Sequence, residues 1–123
     1  MLLLWGRSPL DDTAVIPASV IAQITKPTSI PEYPSTLFVN EDLIGTRTYG
    51  LAQEMYTYRG FYVIEHRGML PGQRSLIMRV PGKNLGIAIM ANDHEFGMGF
   101  VQVVQRMIMD CLLGLESIDW ARM

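Results

Sequence analysis

The stretch YGLAQEMYTYRGFYVIEHRGMLPGQRSLIMRVPGKNLGIAIMAN, residues 49–92, decides the fold. Turn signals cut it into four runs rich in aromatic and β-branched residues, the composition that strands favour. Residues 49–58 read as one strand, Arg59-Gly60 as a tight turn, and residues 61–66 as a second strand ending at His66. A loop over 67–73, carrying Gly68, Pro71 and Gly72, leads to a third strand over 74–80. Pro81-Gly82-Lys83-Asn84 is a strong turn signal, because proline presets φ and glycine tolerates positive φ. Leu85–Ala91 completes the set; it is apolar at both alternating sets of positions, as in a strand covered on both faces.

Beyond the sheet, Asn92 with Glu95 three residues on fits a capping box that opens a helix over about 95–113. Phe100, Val103, Val104, Met107, Ile108, Cys111, Leu112 and Leu115 recur at helical spacing and form an apolar stripe, with Gln102, Gln105, Arg106 and Asp110 on the other side. Gly114 is a natural stop. Before the sheet, Pro9, Pro17, Pro27, Pro31 and Pro34 interrupt residues 1–48. A short helix fits 17–24, with Val20, Ile21 and Ile24 on one face, and 28–48 reads as a surface loop. The expected class is α+β: four sequential antiparallel strands packed with a C-terminal amphipathic helix. The expected organisation is one domain over 1–123, with a proline-rich lead-in (1–48), a sheet (49–92), and a helix and tail (93–123). The expected core is the fourth strand plus the helix stripe, so that Ile87→Ala would cost about 2–5 kcal/mol. Leu3, Leu4 and Trp5 would be under-buried.

Composition narrows the function classes. Of 123 residues, 49% are hydrophobic and 18% charged, a globular mixture, and the net charge of −2 comes with no Lys/Arg cluster, which argues against a nucleic-acid partner. The single cysteine, Cys111, excludes an internal disulfide and leaves the compartment open. Met1 to Trp5 are apolar but stop at Gly6-Arg7, lack a basic n-region and are too short for a signal peptide's apolar stretch, and no run is long enough to span a membrane. The chain reads as soluble.

Two histidines are the first candidates for chemistry. His66 stands beside a glycine loop, which suits a small-ligand site and equally an exposed strand end next to an ordinary turn. His94 lies in Asn92-Asp93-His94-Glu95, but adjacent residues cannot all face one ion, and helix capping accounts for the group without a metal. Cys111 on the apolar stripe reads as core. The sequence contains no G-x-S-x-G elbow, no Ser-x-x-Lys and no P-loop, so no metal site and no cofactor is expected.

Four segments in order are more specific than any one of them: Tyr49-Gly50-Leu51; the run Glu65-His66-Arg67-Gly68-Met69-Leu70-Pro71-Gly72; residues 75–81; and residues 85–92, which end in Asn92. This order resembles the C-terminal portion of the serine β-lactamase and penicillin-binding-protein-like family, in its class C-like group of esterases and peptidases. The resemblance implies acyl transfer through a serine, with a small acyl substrate. It places His66 at the basic position of the third motif, Gly68 where the strand must stay clear for substrate, and the Met69 backbone N–H as an oxyanion donor. Arg67 replaces the small residue common at that position, and the resemblance puts it with Gly68 in substrate binding.

The family's Ser-x-x-Lys and Tyr-x-Asn motifs are absent, which implies a hydrolase fragment, inactive by itself, whose N-terminal half is missing. The alternative is a non-catalytic binding or structural module derived from that fold, or an association module using apolar surface that the other half would have covered.

Overall fold

The computed structural model describes residues 6–31, 43–93 and 97–122. Its elements in chain order are α1 (Ala18–Ile24), β1 (Thr48–Tyr49), β2 (Glu54–Tyr58), β3 (Phe61–Leu70), β4 (Gln73–Val80), a 3-10 turn (Pro81–Lys83), β5 (Leu85–Ala91) and α2 (Gly97–Leu113). The protein is α+β, with an antiparallel sheet in the order β1-β2-β3-β4-β5. The expectation for Met1 to Trp5 and the proposed cap residues His94 and Glu95 lie outside the described residues.

Among the described residues the sheet has five strands where four were expected. The single strand over 49–58 is broken by a reversal at 50–53, where the Gly50 N–H donates to the Gln53 carbonyl at 2.9 Å and Ala52 takes a φ of 54°. β1 then folds back onto β2, with Thr48 opposite Met55 and Tyr49 opposite Glu54. The expected loop over 67–73 is also corrected. Pro71-Gly72 reverses the chain by itself, with Gly72 at φ +75°, so β3 continues through Leu70 and β4 starts at Gln73. His66 therefore sits within a strand and not at its end, and Gly68 and Met69 are strand residues. The turns at Arg59-Gly60 and at 81–84 stand as read. Arg59 (φ 47°) and Gly60 (φ 88°) have the paired positive φ of a type I′ hairpin turn, and Asn84 closes the second turn in the left-handed region.

The chain divides into two compact units, one of residues 1–66 and 78–86 and the other of 67–77 and 87–123. In the first, Ile44, Met55, Tyr56, Tyr58, Val63, Ile64, Met78 and Val80 are buried. In the second, Leu76, Val101, Met109 and Trp120 are buried.

Two core expectations fail. Along β5, half-buried and exposed residues alternate and none is buried. One face of the strand is half-buried and the other exposed, so its doubly apolar sequence is not covered on both faces. Ile87→Ala is thus expected to cost about 1–2 kcal/mol, against about 2–5 kcal/mol for the fully buried Leu76→Ala. Equal losses in urea denaturation would refute this ranking.

The second failure is in α2, which buries Val101, Gln102, Gln105, Arg106, Met109 and Asp110, while Phe100, Met107 and Leu112 are each more than half exposed. Cys111 is exposed and not core. The polar side is turned inward because the chain's own tail satisfies it. Trp120 Nε1 donates to Asp110 Oδ2 at 2.9 Å, and the Arg106 guanidinium lies 4.8 Å from the centre of the Trp120 ring. Gly114 (φ +67°) ends the helix, and the Leu115 N–H returns to the Asp110 carbonyl at 2.9 Å. The short helix α1 forms behind Pro17 as expected but buries no residue.

Candidate functional site

The tight turn at Pro71-Gly72 sets the end of β3 against the start of β4, and a cavity of about 350 Å³ opens there. That volume is at the small end for an organic ligand. Its walls include Gly68 and Met69 from β3, Arg74 and Ser75 from β4, and Met90 and Asn92 at the end of β5. All belong to the second unit.

Each wall has a local cause. At Gly68, a Cβ would collide with Ser75 Oγ, so the glycine gives room to the hydroxyl. Gly68→Ala is expected to force Ser75 out of its rotamer at a cost of about 0.5–1.5 kcal/mol. That cost should disappear in a Ser75→Ala background; additive losses in the double-mutant cycle would refute the contact. Arg74 is buried, and its Nη1 donates to the Leu70 and Gln73 carbonyls, each at 2.9 Å. The guanidinium thereby ties the two sides of the turn together at the cavity wall. The first residue of α2, Gly97, fits against the stem of Arg74, where a Cβ would come 3.0 Å from Cγ.

The hairpin register fixes which backbone groups point outward. A two-residue type I′ turn closes on a hydrogen-bonded pair, here Tyr58 opposite Phe61. Alternation then makes Val63 and Glu65 bond toward β2, and the ladder ends with Glu54 opposite Glu65. β3 continues for five more residues, through Leu70. The same alternation turns the backbone groups of Arg67 and Met69 toward the edge that β2 no longer covers.

Of the residues expected from sequence, Gly68 and Met69 come together in the cavity wall. His66 is exposed on β3 and Arg67 half-buried, and neither lines the cavity. Arg74, Ser75, Met90 and Asn92 were not expected as site residues. Arg74 was legible in principle, as a charged residue in the same alternating set as Leu76, Met78 and Val80. Among the described residues, no group of three His, Cys, Asp or Glu side chains converges as metal ligands would.

A second polar cluster lies in the first unit. Arg47 Nη1 donates to Glu54 Oε2 at 2.6 Å and reaches Glu65 Oε1 at 3.5 Å. The Tyr56 hydroxyl donates to Glu65 Oε2 at 2.6 Å, and the Arg47 guanidinium lies 4.3 Å from the centre of the Tyr56 ring. Two facing carboxylates suggest acid–base chemistry, but Glu54 is 4% exposed and Glu65 2%, which leaves a substrate no access. The cluster instead staples β1 through β3 together. Among the described residues, no helix is long and apolar enough to cross a membrane. Comparison with protein families, curated proteins and solved structures finds no match.

Proposed function

We propose that this chain supplies the substrate-binding strand and part of the cavity of a serine acyl-transfer hydrolase of the β-lactamase and penicillin-binding-protein-like kind, and that the nucleophile belongs to a different polypeptide segment. The observation that carries this reading is the edge of β3 past Glu65, which among the described residues β2 does not reach, with the Met69 backbone turned toward it beside a side-chain-free Gly68. An acyl substrate laid along that edge would place its carbonyl oxygen on the Met69 N–H. When a serine oxygen bonds to the carbonyl carbon, the carbonyl electron pair moves to oxygen, and a preorganised N–H stabilises that charge. A leaving group then departs with a proton, and water releases the acyl group by the reverse route. His66, exposed on the same strand, is the basic group that the resemblance assigns to the proton relay.

The chain cannot carry the first step alone. Its two lysines, Lys26 and Lys83, follow Gln23 and Val80 at the three-residue spacing, so neither activates a serine in a Ser-x-x-Lys unit. Ser75, the hydroxyl in the cavity wall, faces glycine and not a base. The purified chain is therefore expected to leave a chromogenic ester and a chromogenic β-lactam unhydrolysed. Joined to a half bearing Ser-x-x-Lys and Tyr-x-Asn, it should hydrolyse one of them, and His66→Ala should reduce that rate. Turnover by the isolated chain that vanishes in His66→Ala would overturn the requirement for a second segment. Binding of an acyl compound in the cavity without turnover in the joined protein would favour the alternative, a non-catalytic binding module.

A further inference from the structure

A buried cation in the first unit lacks an anion. Arg79 of β4 is 5% exposed, and its Nη1 donates to the Gln53 side-chain oxygen at 2.8 Å. Its Nη2 is buried without a hydrogen-bond partner. Among the described residues, no carboxylate is paired with Arg79. Burial accordingly holds its pKa below the ordinary value, and the Tyr62 phenol pulls the other way. Buried charges are normally paired, and a buried donor left unmade is costly, most of all on a charged group.

The strand register locates the guanidinium. Counting from the two-residue turn at Pro71-Gly72 puts Arg79 opposite Ile64, which is itself opposite Met55. The same count sets Gly68 opposite Ser75, and a Cβ on that glycine would meet the serine hydroxyl. Gln53, just before β2, therefore reaches across β3 to meet Arg79.

Gln53 also closes the reversal at 50–53. Its backbone carbonyl accepts from the Gly50 N–H at 2.9 Å, and its Nε2 donates to the Ala52 carbonyl at 2.6 Å. Ala52 is held at φ 54°, in the left-handed region that a residue with a Cβ rarely takes. Leu51 and Ala52 are exposed, so the turn has little packing to lose on opening. A strained turn is thus fastened to a guanidinium that a neutral amide satisfies on one nitrogen only.

We propose that Arg79 anchors a carboxylate-binding site whose lid is the 50–53 turn: a carboxylate takes the place of the Gln53 amide on the guanidinium, and the turn opens as it does so. The donors set the ligand class. Once Gln53 leaves, Nη1 and Nη2 offer the two parallel N–H groups that a carboxylate accepts as a fork. A phosphate dianion would keep one charge unmatched beside this single buried cation, whereas a carboxylate is matched. All of these residues belong to the first unit, and the site is independent of the acyl-transfer reading.

The probe is sodium acetate added to the full chain, with acetamide and sodium chloride as controls, read by backbone and arginine side-chain NMR shifts. Acetate is expected to bind saturably in the millimolar range and to shift residues 50–53 and 79, while acetamide and chloride leave them in place. Gln53→Ala removes the competing bond and should tighten acetate binding about fivefold. Gln53→Glu supplies a carboxylate from the turn itself and should abolish the response. Arg79→Met should abolish it too; Gln53→Glu keeps the arginine, so it reads the site even where Arg79→Met loses the fold.

A capped glutamyl peptide separates two sources of the carboxylate. Tighter binding of the peptide than of acetate would assign the site to an acidic side chain of another polypeptide, and equal binding to a small free acid. No saturable shift with acetate would overturn the site, as would equal shifts with chloride, which would mean screening alone. An acetate response retained in Gln53→Glu or in a folded Arg79→Met would overturn it as well. Acetate binding by Gln53→Ala no tighter than by the parent would overturn the exchange with Gln53.

Discussion

Glu65→Ala is expected to destabilise the chain by about 3–5 kcal/mol, the usual cost of removing one partner from a buried ion pair. Glu65 accepts from the Tyr56 hydroxyl at 2.6 Å, lies 3.5 Å from Arg47 and is directly opposite Glu54 across β2 and β3. Its loss withdraws an acceptor from a buried hydroxyl and a countercharge from a guanidinium whose side chain is only 10% exposed. Glu65→Gln keeps an acceptor for Tyr56 and should cost less. The distinctive expectation concerns replacement of the whole cluster. Arg47→Met with Glu54→Leu, Tyr56→Phe and Glu65→Leu should come much closer to the parent than Glu65→Ala does, because apolar groups of similar volume avoid desolvating charge. Urea denaturation measures each. A loss below about 1 kcal/mol for Glu65→Ala would mean that the cluster opens to water and carries no structural weight.

Trp120→Ala is expected to cost a comparable amount, about 3–5 kcal/mol. The indole is almost fully buried, bonds Asp110 and stacks on Arg106. Without it, the inward polar side of α2 loses the group that seals it. Trp120→Phe separates the two contributions: it keeps most of the packing but withdraws a donor from a buried carboxylate, so about 1–3 kcal/mol should remain. Thermal unfolding followed by near-ultraviolet circular dichroism reads both. A neutral Trp120→Ala would show that residues 115–122 do not hold the helix in its observed rotation.

These two residues also mark where the sequence stopped being legible. The strands and the turns at Arg59-Gly60 and 81–84 could be read because turn chemistry and strand composition are local. The break at 50–53 could not, since Ala52 adopts a positive φ that a residue with a Cβ rarely takes. The rotation of α2 escaped for a different reason. Periodicity locates an apolar stripe but not what covers it, and here Trp120, beyond the helix, makes the polar side the better one to bury. The run of β5 says that it is fit for coverage on both faces, whereas its place at the end of the sheet depends on which strands neighbour it. At the cavity, the glycine and methionine of 68–69 were readable through the resemblance, but Arg74 and Ser75 were hidden by taking 67–73 as a loop. Once Pro71-Gly72 makes the whole turn, Ser75 falls beside Gly68.

The order β1-β2-β3-β4-β5 has a kinetic consequence. Every strand pairs with its predecessor in the chain, through connections of only two to four residues. Low contact order of this kind favours fast folding, because little loop-closure entropy is lost before each ladder is rewarded. During synthesis the ladders can form one after another as they leave the ribosome, with β5 the last strand to emerge. Its uncharged outer edge is then a seed for aggregation from the moment β4 is paired. Expression yield should therefore depend less on how quickly this chain folds than on how soon that edge is covered.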